Sequence, residues 1–532
     1  MRDRTTYSRL TSLALIALLL GMTASFSLPA EPAPDLQPDE RPLHTVASMG
    51  YFPGSDPGSI YTNTTLSVAG SSSCAVAQDG SMRCWGSNTW GQTGLWPFAN
   101  NPTLSPSWLV QHHSPNSNWN QTWTEVVGGN QHYCGITDNK DMYCWGQGRW
   151  GQLGVGDANW ENTEPRKTTF ADDRETIEVA PATLHTCSIS PIRNSTPDHQ
   201  SVFCWGNNGV GQLGTAGGPD TTNPTRALLP QGSVPGGIAS SWEHTCATLS
   251  NGTGLCWGNN SHGQLGDISL AERNTPTPVR LIPAGRYIVQ MSTGIAHTCA
   301  LLDDGSIACW GDNQVGQLGN GTTSSSWQAS SVVSLPSGKT AISIDVGPGS
   351  ACAILNDDSL VCWGSNSRGQ VDPTGGGDSY FEGDPVWTTP NAVNLPGNPS
   401  IATVSIGYDH ACAITTVSDL YCWGGNNMGQ LGTGGTNLTP NQLHLVNLGP
   451  SAESSNTTAL NQLADLSDRD PDHDGILSLF DSNPMQSNCQ PGYYNLNSSN
   501  TGCYPASPGY YVDSISMTEQ SPLKPVDLSA DQ

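Results

Sequence analysis

Basic residues are scarce: 19 Lys and Arg stand against 45 Asp and Glu, a formal net charge of −26 over 532 residues. Phosphate backbones are held by clustered cations, so this balance argues against a nucleic-acid partner. Charge of either sign is thin, at 12% of residues. Long solvent-facing helices need more Lys, Glu and Arg than that, which points away from a helical architecture. After the N-terminal segment no apolar run is long enough to cross a bilayer. There is no Gly-x-Ser-x-Gly, His-Glu-x-x-His or phosphate-binding loop. A non-enzyme is therefore expected. An extracellular hydrolase is the alternative, because a scaffold by itself excludes no activity.

Glycine and proline are abundant, at 60 and 38 residues, as in a loop-rich all-β chain. The N-terminus places Arg2, Arg4 and Arg9 before an apolar stretch from Leu13 to Leu20 and then small residues. That order predicts a signal peptide over residues 1–30, cut between Ala24 and Ala30. An uncleaved anchor is the competing reading. The expected mature chain is extracellular, secreted or cell-surface associated, with no membrane insertion after cleavage. Residues 31–66 read as a leader that contributes a closing strand.

Fourteen of the 16 cysteines fall in pairs: Cys74 with Cys84, Cys134 with Cys144, Cys187 with Cys204, Cys246 with Cys256, Cys299 with Cys309, Cys352 with Cys362 and Cys412 with Cys422. First members recur at intervals of 60, 53, 59, 53, 53 and 60 residues, the period of a propeller or solenoid. In "HTCALLDDGSIACWGDNQVGQLG" the Asp-Asp-Gly at 303–305 has the form of a three-residue hairpin turn, which sets Cys299 opposite Cys309. The turn ends instead in Lys140, Asp358 and Ser418 in units two, six and seven, and unit three carries an insertion. Opposed Cα atoms on antiparallel strands lie about 4.5–5.5 Å apart, within disulfide reach. Each pair is thus expected to bridge within its unit, in the oxidising surroundings that export provides. Buried free thiols and zinc are the competing readings.

A tryptophan follows each second cysteine, at 85, 145, 205, 257, 310, 363 and 423. Packing between neighbouring sheets is the expected role, with ligand binding the alternative. His132, His185, His244, His297 and His410 precede five of the first cysteines, with Ser72 and Ser350 in the other two units. Five copies suit a structural hydrogen bond to backbone better than catalysis. In the frame WGxNxxGQLG one slot varies: Trp90, Trp150, Val210, His262, Val315, Arg368 and Met428. These are the candidate binding-face residues; drift at an exposed turn would explain the same variation. The insertion after unit one holds Trp96, Phe98, Trp108, Trp119 and Trp123, suited to recognition or to packing of its own loop.

This unit resembles the repeat named for the regulator of chromosome condensation. The resemblance implies a seven-bladed β-propeller over residues 67–450, with the loop of unit six remodelled at "GQVDPTGGGD". Ring closure is expected to place strands from both ends in one shared blade, the candidates being "TTLSVAG" near residue 64 and "PNQLHLVNL" at 440–448. The family's nuclear founder promotes nucleotide exchange on a small GTPase, and a secreted bacterial member inhibits β-lactamases through one face. The leader, the cysteine pairs and the acidity favour an exported binding or adhesion protein with a protein or glycan ligand. Exchange-factor activity is the least favoured reading.

Beyond a polar linker at 451–467, residues 468–484 place Asp470, Asp472, Asp474, Ser478 and Asp481 around Gly475, the spacing of an oxygen-ligand calcium loop. It resembles those of dockerins and thrombospondin type 3 repeats; calcium is the expected cofactor, an acidic linker the alternative. Residues 489–512 repeat Pro-Gly-Tyr-Tyr and resemble an ephrin-receptor-like Cys-rich module, with Ala506 where a cysteine is expected and a pairing of Cys489 with Cys503. A tail, 513–532, completes the chain as given.

Overall fold

Each repeated unit folds as an antiparallel meander because the connection from first to second strand is only two or three residues long and that from second to third is, in all blades but the third, a turn of four or five, while a longer loop leads to the fourth strand. In unit five Ile288–Thr293 pairs with His297–Leu302, which pairs with Ile307–Gly311. Seven such sheets are present in the computed structural model, spanning 65–108, 123–167, 178–226, 235–278, 288–311, 341–392 and 401–446, and we number them blades one to seven. Six have four strands; blade five has three, its fourth edge reduced to the bridges Ala308–Val332 and Gly311–Ser326. The structure describes residues 65–94 (without 78–79), 102–108, 122–193 (without 160), 200–373, 386–436 and 442–448, with four short strands between 493 and 522. Among the described residues there is no helix. The fold is the seven-bladed all-β propeller expected.

The cysteines face each other as the hairpin register requires. In blade order, disulfides join Cys74 to Cys84, Cys134 to Cys144, Cys187 to Cys204 and Cys246 to Cys256. The last three blades join Cys299 to Cys309, Cys352 to Cys362 and Cys412 to Cys422. Every bridge stays within its own blade, as expected. The Cα atoms are 4.0–4.1 Å apart, closer than the 4.5–5.5 Å expected from an ordinary strand pair, because the bond draws the two strands together. Closing so short a loop stabilises by about 3 kcal/mol per bridge in the chain-entropy account. Lys140, Asp358 and Ser418 hold the left-handed turn position at φ of 61°, 61° and 69°, where blades one, four and five use Gly80, Gly252 and Gly305.

The core lies between blades. The seven repeated tryptophans are fully buried, each in the seam with the preceding blade. Trp363, for instance, packs with Cys299, Leu301, Ile307 and Leu318 of blade five. Burying about 200 Å² per indole stabilises by up to roughly 5 kcal/mol. Trp123 of the aromatic-rich insertion is likewise packed, edge-on to Tyr143.

The ring closes through the same seam chemistry. Leu66, Val68 and Trp85 of blade one pack on Ile414, Leu420 and Leu431 of blade seven. The two ends were expected to share a blade. Instead Thr65–Ala69 is the first strand of blade one and His444–Val446 the fourth strand of blade seven. Closure rests on packing and on side-chain hydrogen bonds such as Val68 N–H to Ser405 Oγ at 3.0 Å. The first strands of all seven blades stand against one another around a central channel.

The calcium-loop residues Asp470, Asp472, Asp474, Ser478 and Asp481 lie outside the described residues, as does Cys489, so the expected pairing of Cys489 with Cys503 falls outside them too. Cys503 begins the strand Cys503–Pro505, which pairs with Tyr493–Asn495.

Candidate functional site

The frame that follows each third strand is a loop fastened from within. The glutamine of Gly-Gln does two jobs. Its side-chain oxygen accepts the backbone N–H of the variable residue two places earlier, at 2.8–3.0 Å in every blade. Its backbone carbonyl accepts the indole N–H of the next blade's tryptophan, at 2.8–3.0 Å around the whole ring. In six blades the frame's asparagine also accepts a loop N–H five residues on, or closes on Val371 where leucine is usual. With its polar backbone groups satisfied, the loop is a rigid mount.

What it mounts is the variable residue. Trp90, Trp150, Val210, His262, Val315, Arg368 and Met428 sit at equivalent points on one face, half-buried or, for His262 and Met428, exposed. Arg149 covers the Trp150 ring at 5.5 Å, and Ser261 Oγ lies 3.0 Å from His262 Nδ1. The seven share a face but are not drawn together, and none lines the central depression.

A second ring lies inside the first. The turns joining first and second strands carry Gly70, Asn130, Thr183, Trp242, Ile295, Pro348 and Tyr408, and all seven line a depression of about 110 Å³ at the channel mouth. The hairpin register puts these turns on the same face as the variable loops, since the start of each second strand pairs with the end of the third. Tyr408 is 44% exposed, and Trp242 is held at a φ of 34°, a left-handed conformation that a bulky side chain rarely adopts. Such strain at a mouth marks a place where side-chain direction is imposed by the scaffold. Sequence reasoning missed this ring. The two residues before each His-x-Cys or Ser-x-Cys vary as freely as the slot before Gly-Gln, and the same criterion applied there finds them.

Beneath the mouth four of the five histidines reach across a seam to a hydroxyl of the next blade. Nε2 of His132, His185 and His244 lies 2.8–3.0 Å from the hydroxyls of Thr186, Thr245 and Thr298 in the next blade, and His410 Nε2 lies 2.8 Å from Ser73 Oγ. Those hydroxyls donate onward to the Gln152, Gln212, Gln264 and Gln430 carbonyls. The imidazoles therefore donate from Nε2. At Nε2 a neighbouring blade's hydroxyl stands where a backbone partner is expected, because the seam places that group nearer. Burial pushes His132, His185 and His244 down to about 3, and His297 to about 4.

The repeat profiles described as "Regulator of chromosome condensation (RCC1) repeat" match residues 123–152, 237–264, 288–317, 341–370 and 401–430, and, in a second form, 141–189, 200–248 and 251–301. Ultraviolet-B receptor UVR8 of Arabidopsis thaliana is 30% identical over 255 residues, 48% of this chain and 54% of that protein. Guanine nucleotide exchange factor SRM1 of Saccharomyces cerevisiae is 27% identical over 339 residues, 56% of this chain and 67% of that one. The chain thus spans about half of the first relative's length and two thirds of the second's. Among solved structures, Prp20p from Saccharomyces cerevisiae, described with its binding to Gsp1p and histones, matches with a TM-score of 0.54 at 20% identity, covering 64% of this chain and 80% of that one. That likeness carries the fold.

Proposed function

We propose that this chain of regulator of chromosome condensation repeats is an extracellular binding protein that takes a protein ligand on the face bearing the two variable rings. One observation carries the reading: side chains vary at two equivalent positions per blade, on one face, above loops and seams built from repeated residues. Selection that preserves a mount while releasing what it displays is expected of a recognition surface. Aromatic Trp242 and Tyr408 at the mouth supply large contact area at low entropic cost. The seven disulfides and the acid surplus suit an exported chain, and a calcium ion on Asp470, Asp472, Asp474, Ser478 and Asp481 would stiffen the segment beyond the propeller. A glycan is the alternative ligand.

The test is a screen of the immobilised full chain against purified extracellular proteins and a glycan array. Captured ligands should be lost with Trp242→Ala and Tyr408→Ala and kept with Asn251→Ala, which alters an exposed turn on the opposite face. Loss with Asn251→Ala and retention with the mouth variants would refute the assignment of the face. A second reading is favoured by SRM1, an exchange factor by name. It requires accelerated nucleotide release from a small GTPase, which the same protein preparation can be assayed for directly.

A further inference from the structure

Seams between first strands are bridged by side chains that reach across to the next blade's backbone. Two positions do this. Ser67, Ser292 and Ser405 accept the N–H groups of Gly128, Val346 and Val68 at 2.8–3.1 Å, and Asp345 accepts from Ile406 N–H at 2.8 Å. Two residues earlier in the strand, Gln290 clasps Ile344 at both backbone groups: Ile344 N–H donates to Oε1 at 3.1 Å, and Nε2 donates to the Ile344 carbonyl at 2.8 Å. Glu178 holds the equivalent place between blades three and four. Each lies two residues before the partner of its blade's first cysteine, and each reaches the residue before that partner in the next blade. Ile238 N–H donates to Glu178 Oε1 at 3.0 Å, as Ile344 does to Gln290.

The second oxygen decides the chemistry. Where Gln290 offers an amide hydrogen to a carbonyl, an ionised glutamate offers another lone pair. We propose that Glu178 is held as the neutral acid and donates its proton to the Ile238 carbonyl, making a proton-operated clasp in the channel wall that loosens when the proton is lost.

The surroundings favour the neutral acid. Glu178 is 2% exposed, and burial holds its carboxyl well above the usual range, with Glu125 on the neighbouring first strand raising it further. Glu125 occupies the same clasp position in blade two. Burial pushes it up to about 7 against the charge of Lys140, and its Oε1 has no hydrogen-bond partner. The adjoining strand of blade four, Pro235–Ser241, carries no titratable group. Within blade three the packed strand brings only His185, held neutral by burial. A folded-state value raised above the unfolded one means that the stabilisation is complete below the unfolded value, about 4.3 for glutamate, and is lost as pH rises through the folded one.

Glu178→Gln makes the clasp permanent. Thermal midpoints of the full chain and this variant should coincide near about pH 5, and the variant should gain on the order of 2 °C or more by about pH 8.5. The histidines contribute equally to both proteins and cancel. Independently of variant folding, the infrared difference between the unmodified chain and Glu178→Gln at neutral pH should carry the carbonyl band of a buried carboxylic acid, the contribution of Glu125 being common to both. A variant advantage that does not grow with pH, or a missing acid band, would overturn the proposal. So would calcium raising the midpoint of the unmodified chain more than that of the variant, since the site would then hold a cation in place of the proton.

Discussion

Replacing Ala351 by threonine should stabilise the propeller, and the size of the gain can be worked out from its other seams. In blades two, three and four a buried histidine donates to a threonine hydroxyl of the following blade, which donates to a glutamine carbonyl. Blade five keeps its histidine, but the following blade has Ala351 where Thr298 stands one blade earlier. His297 is consequently fully buried with neither ring nitrogen bonded. The carbonyl that should complete the relay is in place, since Gln317 O accepts the Trp363 indole at 3.0 Å. Threonine would supply two hydrogen bonds worth about 1 kcal/mol each and relieve a buried donor whose desolvation costs about 1–3 kcal/mol. Allowing for the added bulk, the net gain is about 2 kcal/mol, or roughly 2–4 °C in the midpoint. Ala351→Val controls for bulk, because it has the shape of threonine without the hydroxyl. Scanning calorimetry should rank threonine above both valine and the unmodified chain. Equal midpoints for threonine and valine would mean that a buried water already serves His297, and the relay argument would fail.

Acid should weaken the ring in a defined window. His132, His185, His244 and His297 are pushed down to about 3–4, so the unfolded chain takes up protons that the native one refuses. Stability should fall from about pH 6.5 downward by up to roughly 1.4 kcal/mol per pH unit per histidine, and His297→Gln should shallow that slope in midpoint-versus-pH curves. Asp358→Gly should raise the midpoint by about 0.5–1 kcal/mol equivalent, because Asp358 sits at a φ of 61° on an exposed turn. The reverse change, Gly305→Ala, should lower it, since a Cβ there would meet the Thr340 Cβ at 2.6 Å. Calcium titration of the full chain followed by calorimetry should show one site that is lost in Asp472→Ala and Asp474→Ala.

How far the amino-acid order could be read depends on whether a residue's partner lies in its own repeat. The cysteine pairs, the hairpin turns and the blade count were legible because the interacting residues are ten or seventeen positions apart, and seven copies make the spacing plain. The tryptophan slot was legible as packing for the same reason. The histidine slot was read correctly as structural, yet assigned to backbone, because its hydroxyl partner is 54 to 60 residues away in three of the seams. Once that pairing is known, the residue before each first cysteine becomes informative. Ser72 faces Tyr133 across the first seam at 3.2 Å, whereas Ser350 and Ala411 have abandoned the relay at the sixth. The channel wall was opaque for a related cause. Thr65, Glu125, Glu178 and Gln290 occupy one structural position, but each answers a different neighbouring strand, so the slot looks unconstrained along the chain. Variation in a repeat protein therefore has two physical sources, exposure to a ligand and accommodation of the adjacent blade. Burial separates them: the mouth ring includes the exposed Tyr408, while Glu178 is sealed within the wall.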